Sequence, residues 1–138
     1  MTAVKEAPAR RGNVDLRSIR ASAAALKTFF RLADTWELTA DEQATLLRTN
    51  RSTVYKWQTA APVSLSADVL ERLSYLFGIY AALNILLPLP ERAHAWIRKP
   101  NNAPLFGGRS ALERMLAGNT MDLFVVRQYL DAERGGKA

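Results

Sequence analysis

Between Leu73 and Leu89 the chain reads LSYLFGIYAALNILLPL, seventeen residues without a single charge. This run limits the possible folds more than any other stretch. A bilayer span needs about 20 predominantly apolar residues, and this one is shorter and broken by Ser74, Gly78, Asn84 and Pro88. A helix apolar on most sides is otherwise a core or interface helix. The run is therefore expected to form a buried helix, starting at Ser64 or Ser66 and ending near Leu87, the longest in the chain. No membrane association is expected. Part of this surface is expected to be buried against a second copy, making the protein a homodimer.

The flanking sequence repeats apolar residues at three- and four-residue spacing and nowhere sustains period-two alternation, so the chain reads as all-α. Ser22 to about Trp36 is one amphipathic helix, with Leu26, Phe29, Phe30 and Ala33 on one side. Thr39-Ala-Asp-Glu42 is a capping box opening a helix over 39–48. Asn50 caps the next, 51–58, whose Val54 and Trp57 are expected to face the core, and Ala60-Ala61-Pro62-Val63 closes the unit. Pro90 can occupy the first turn of a helix over 90–98. Ser110-Ala-Leu-Glu113 is a second capping box and opens a helix over 110–117, stopped by Gly118. Asn119 and Asp122 start the last helix, and the tail ERGGKA is expected to fray. Trp36, Trp57 and Trp96 are expected to anchor cores. Residues 1–17 look like a flexible basic arm. Residues 18–62 then form one unit and residues 63–138 another.

Net charge is +6, which favours a polyanionic partner without choosing one. Its distribution says more. Residues 48–58 carry Arg48, Arg51 and Lys56 with no acid, whereas the chain beyond residue 63 is close to neutral. There is no cysteine and one histidine, His94. Thiolate metal sites, disulfides and most Ser-His chemistry therefore lack their parts. Glu113 and Asp131 read as a cap and a solvated acid, so neither a catalytic set nor a cofactor or metal is expected. The basic N-terminus is not followed by an apolar run, so it is no secretory signal, and a cytoplasmic protein is the simplest expectation.

Residues 38–57, LTADEQATLLRTNRSTVYKW, carry basic and hydroxyl side chains where a purely structural second helix would more often carry Glu and Lys. In a helix-turn-helix the first helix packs over the second, which lies in the major groove and presents its early residues to bases. Arg suits guanine or phosphate, Asn suits adenine, and Ser and Thr suit phosphates or either base. The positions offered to DNA are Thr39, Asn50, Arg51, Ser52, Thr53, Tyr55 and Lys56. The spacing resembles the helix-turn-helix of Xre- and Cro-like repressors. It departs at Arg48, where that family usually has a glycine in the turn, so a side chain must sit there at some conformational cost.

The loop LFGGRS (105–110) matches no phosphate-binding pattern, since neither GxxxxGK[ST] nor GxGxxG is present. Together with Trp96, Pro100-Asn101, Leu112, Gly118 and the final helix, it resembles the C-terminal domain of Xre/MbcA/ParS-type antitoxins. Ala111 stands where that family often has proline. The likeness covers roughly residues 38–131. It implies an all-α antitoxin of a toxin-antitoxin pair that binds a RES-domain, NAD-consuming toxin and represses its own operon by binding operator DNA. It also implies toxin contacts from Gly107, Gly108 and Arg109 and from the last helix and tail, at Tyr129, Asp131, Glu133 and Arg134. The competing expectation is a free-standing dimeric regulator without a toxin.

Overall fold

The computed structural model describes residues 2–61 and 63–135, with side chains from Ser18 onward. Among these residues every element is helical: α1 (Thr2–Thr35), α2 (Ala40–Leu46), α3 (Arg51–Thr59), α4 (Ala67–Leu86), α5 (Pro90–Trp96), α6 (Ala111–Met115) and α7 (Thr120–Gly135). The all-α expectation holds.

The local signals act where they were read. Thr39 Oγ1 accepts the Glu42 amide at 3.1 Å and Glu42 Oε1 accepts the Thr39 amide at 2.8 Å, closing the first capping box. Ser110 and Glu113 close the second. Asn50 Oδ1 caps α3 through the Thr53 amide at 2.8 Å, and Ser66 caps α4. Arg48 sits at φ 55, the left-handed conformation that favours glycine. Glu37 adopts the same φ at the end of α1.

Three expectations change. The longest helix is α1, at 34 residues, and not the apolar run. Its backbone begins at Thr2, so residues 2–17 continue a helix where a flexible arm was expected. Ala, Lys, Arg and Glu are all good helix formers, and extending an existing helix is far cheaper than nucleating one. A charge run on a helix is easily mistaken for coil. At the other end α7 continues to Gly135, so Glu133 and Arg134 of the expected frayed tail are helical. Pro62 and residues 136–138 lie outside the described residues.

The core is one cluster. Leu26, Phe29 and Leu32 of α1 and Trp36 just after it join Leu46 of α2, its C-cap Leu47, and Leu73, Leu76, Ile79 and Leu83 of α4. Leu112, Met115, Leu123, Val126 and Leu130 belong to the same cluster. By length and hydropathy α4 alone among the described helices would suit a membrane crossing. In the fold one side of it is core, packed most heavily on α7, and Ile85 on another side is 59% exposed. The apolar run is thus half buried within one chain, and its outer side remains uncovered.

Candidate functional site

The first candidate surface is built by α2 and α3. Val54 is buried and Trp57 packs against the core, which fixes the rotation of α3 about its axis. The remaining positions then face outward. Arg51, Ser52, Tyr55 and Lys56 are exposed, Tyr55 by 65%, and Thr53 is half buried. Asn50, Arg51, Ser52 and Tyr55 line an open groove between α2 and α3, together with Thr49 and Asp41. Thr39 and Asn50 are both spent on caps through their side-chain oxygens, although the Asn50 amide nitrogen is not used there. The groove is lined by one acid, Asp41, whose carboxylate lies 3.7 Å from the Arg51 Nε.

The second candidate surface is the loop between α5 and α6. Asn101 folds it: its carbonyl accepts the Gly108 amide at 2.8 Å, its amide donates to the Arg109 carbonyl at 3.0 Å, and its Oδ1 accepts the Ala103 amide at 2.9 Å. Gly107 and Gly108 turn at φ 57 and 87, and a Cβ on either would meet nothing within 4 Å. Both φ values favour glycine, and the two residues leave an open, exposed turn. Arg109 is exposed beside them.

Phe106 anchors this turn to the last helix. Its ring packs edge-on against Tyr129 at 5.3 Å and against Trp96 at 5.9 Å, while Trp96 and Tyr129 stack at 6.5 Å. Edge-to-face and offset contacts of this kind are the favoured aromatic geometries. The fold thus packs Tyr129 against Phe106, the residue before the Gly-Gly turn, and much of the Tyr129 ring is used internally. Beyond it Asp131 lies 3.6 Å from Arg127 and 3.7 Å from Arg134, so its charge is already balanced within the helix. Glu133 lines a small crevice with Leu83, Leu87, Trp96 and Tyr129.

Residues that the sequence reading passed over hold these surfaces in place. Arg72 is fully buried. Its Nη1 donates to the Leu46 carbonyl at 3.2 Å, its Nη2 to the Gly118 carbonyl at 2.9 Å, and its Nε approaches Asp68 at 3.3 Å. It therefore ties the end of α2 to the turn preceding α7. Arg98 donates to the Trp36 and Glu37 carbonyls at 3.0 and 2.9 Å, and Arg114 pairs with Asp122 at 2.9 Å. Only the Asp68–Arg72 spacing could have hinted at any of this. Elsewhere, Tyr75 donates its hydroxyl to Glu71 at 2.8 Å, and that hydrogen bond pushes the phenol above its usual value. His94 is half buried and stacked on Tyr80.

Two family models match the chain in sequence. The antitoxin Xre-like helix-turn-helix domain matches residues 15–78, and the antitoxin Xre/MbcA/ParS C-terminal toxin-binding domain matches residues 82–136. A relative from Sinorhizobium fredii (strain NBRC 101917 / NGR234), described as "Uncharacterized protein y4oB", is 52% identical over 114 residues. That similarity spans 82% of this chain and 86% of the relative.

Proposed function

Since the chain belongs to the Xre/MbcA/ParS-type antitoxin family, with its Xre-like helix-turn-helix and toxin-binding domain, we propose that it neutralises a RES-domain, NAD-consuming toxin and represses its own operon. The observation that carries this reading is the pairing in one chain of an outward-facing polar helix with a braced, exposed Gly-Gly turn. On α3 the apolar residues are turned inward, leaving Arg51, Ser52, Tyr55 and Lys56 for DNA. At the other surface Gly107, Gly108 and Arg109 stand beside α7, where Tyr129, Asp131, Glu133 and Arg134 complete the toxin contact. Residues 18–62 carry the first task and 63–138 the second, over one continuous core.

The protein acts as a cytoplasmic homodimer without catalytic activity of its own. Two copies would present two α3 helices about 34 Å apart, one DNA turn, which calls for a palindromic operator. The test is co-expression with the product of the adjacent gene. The full chain should rescue growth and co-purify with that product. Removing residues 131–138 should leave operator binding intact while growth arrest returns. Undiminished protection by the truncated protein would remove the end of α7 from the toxin contact. Failure of the full chain to protect or co-purify would sink the antitoxin assignment for that pair.

A further inference from the structure

We infer that Asp41 is a positioning residue for Arg51 and the source of much of the sequence discrimination at the α2–α3 groove; this rests on the reading of that groove as a DNA surface. Asp41 Oδ1 lies 3.7 Å from Arg51 Nε, an ion pair between side chains that are 77% and 68% exposed. Both residues line the groove with Thr49, Asn50, Ser52 and Tyr55. A carboxylate on a surface that meets phosphates opposes binding to any DNA sequence. It needs a reason to be there.

Helix capping is not that reason. An acid in the first turn does suit the helix dipole, but Glu42 already serves that end of α2 by closing the capping box with Thr39. What Asp41 adds is an anchor across the turn. A free arginine on a long, flexible stem can settle on any nearby phosphate, giving affinity without information. Held at Nε by Asp41, the guanidinium is withheld from phosphates and kept at the rim of the groove. Its two terminal nitrogens can then meet O6 and N7 of a guanine. The carboxylate lowers affinity for all DNA, and Arg51 recovers the loss only where a suitable base edge is present. Specificity is a difference of affinities, and an element that penalises wrong sequences widens it.

The experiment uses the full chain and two duplexes: the DNA immediately upstream of its own gene, and a scrambled sequence of the same composition. Asp41→Asn should raise affinity for scrambled DNA by about threefold, the scale of an exposed ion pair, with a smaller gain on upstream DNA. The ratio of the two affinities should fall accordingly. The salt slope on scrambled DNA should steepen by about one unit as Arg51 is released to a phosphate. In an Arg51→Ala background the same change should raise both affinities equally and leave the ratio unmoved. Asp41→Glu should preserve the wild-type ratio. Thermal melting of each variant checks the fold, and Asp41→Ser serves as a second neutral replacement. If Asp41→Asn raises both affinities equally in the wild-type background, the acid only repels and the positioning role is overturned. No change on either duplex overturns it as well. Failure of the wild-type protein to prefer upstream DNA would overturn the DNA reading of the groove and this inference with it. Discrimination by wild type that Asp41→Asn leaves intact would overturn the inference alone.

Discussion

Arg72 has given up water for three protein acceptors, two of them backbone carbonyls from distant segments. A buried guanidinium is costly unless its donors are met. Here the Leu46 and Gly118 carbonyls also depend on it, because both bonds bring a buried side chain to backbone that no helix ladder satisfies at that point. Arg72→Ala leaves these groups without their partner and opens a void in the middle of the core. Its expected cost is about 2–6 kcal/mol, from two buried carbonyls left unmet at about 1–3 kcal/mol each, since the Asp68 left behind is 46% exposed and can be rehydrated. Urea denaturation reads this as a lower midpoint, and a loss under about 1 kcal/mol would show that water replaces the side chain freely. Arg72→Lys can reach only part of the acceptor set, since a point ammonium lacks the planar fork. It should fall between the two.

At the scale of elements, two helices end on residues in the left-handed region, Glu37 after α1 and Arg48 after α2. A non-glycine residue pays a steric cost for that conformation. Arg48 is exposed, and its amide donates to the Thr45 carbonyl, a bond glycine would keep. Arg48→Gly should therefore stabilise the protein by about 0.5–1 kcal/mol, after allowing for the greater freedom of glycine in the unfolded chain. A rise in the thermal midpoint checks this, and a fall would mean that the arginine side chain contributes more than its backbone costs. The same physics works in reverse at Gly107 and Gly108, where the turn between α5 and α6 already has glycine and open space around it.

For the molecule as a whole, the helix-turn-helix segment and the C-terminal helices share one apolar cluster. Arg72 and Arg98 bridge them with hydrogen bonds spanning 26 to 62 residues of sequence. Separate cores would melt separately. A continuous one should give a single cooperative transition in calorimetry, with van't Hoff and calorimetric enthalpies in agreement. Two resolved transitions would show that residues on either side of the α3–α4 connection fold as independent bodies.

Much of this molecule could be read without coordinates, because the deciding interactions are local. Thr39 with Glu42, Asn50 with Thr53, and Ser110 with Glu113 each act within three residues, so helix starts are written in short spacings. The inward turn of Val54 and Trp57 follows from helical periodicity, and with it the outward face of α3. What tertiary structure alone decided depends on contacts between distant segments. Nothing near Arg72 in sequence says that it is buried or that Leu46 and Gly118 will offer it their carbonyls. The cluster of Trp96, Phe106 and Tyr129 joins three separate segments, and only their packing sets the Gly-Gly turn against the last helix. Asp41 looked like part of a helix cap until the turn folded it onto Arg51. Local hydrogen bonds determine where helices begin, whereas the placement of charge in a shared core or across a groove depends on which segments meet there.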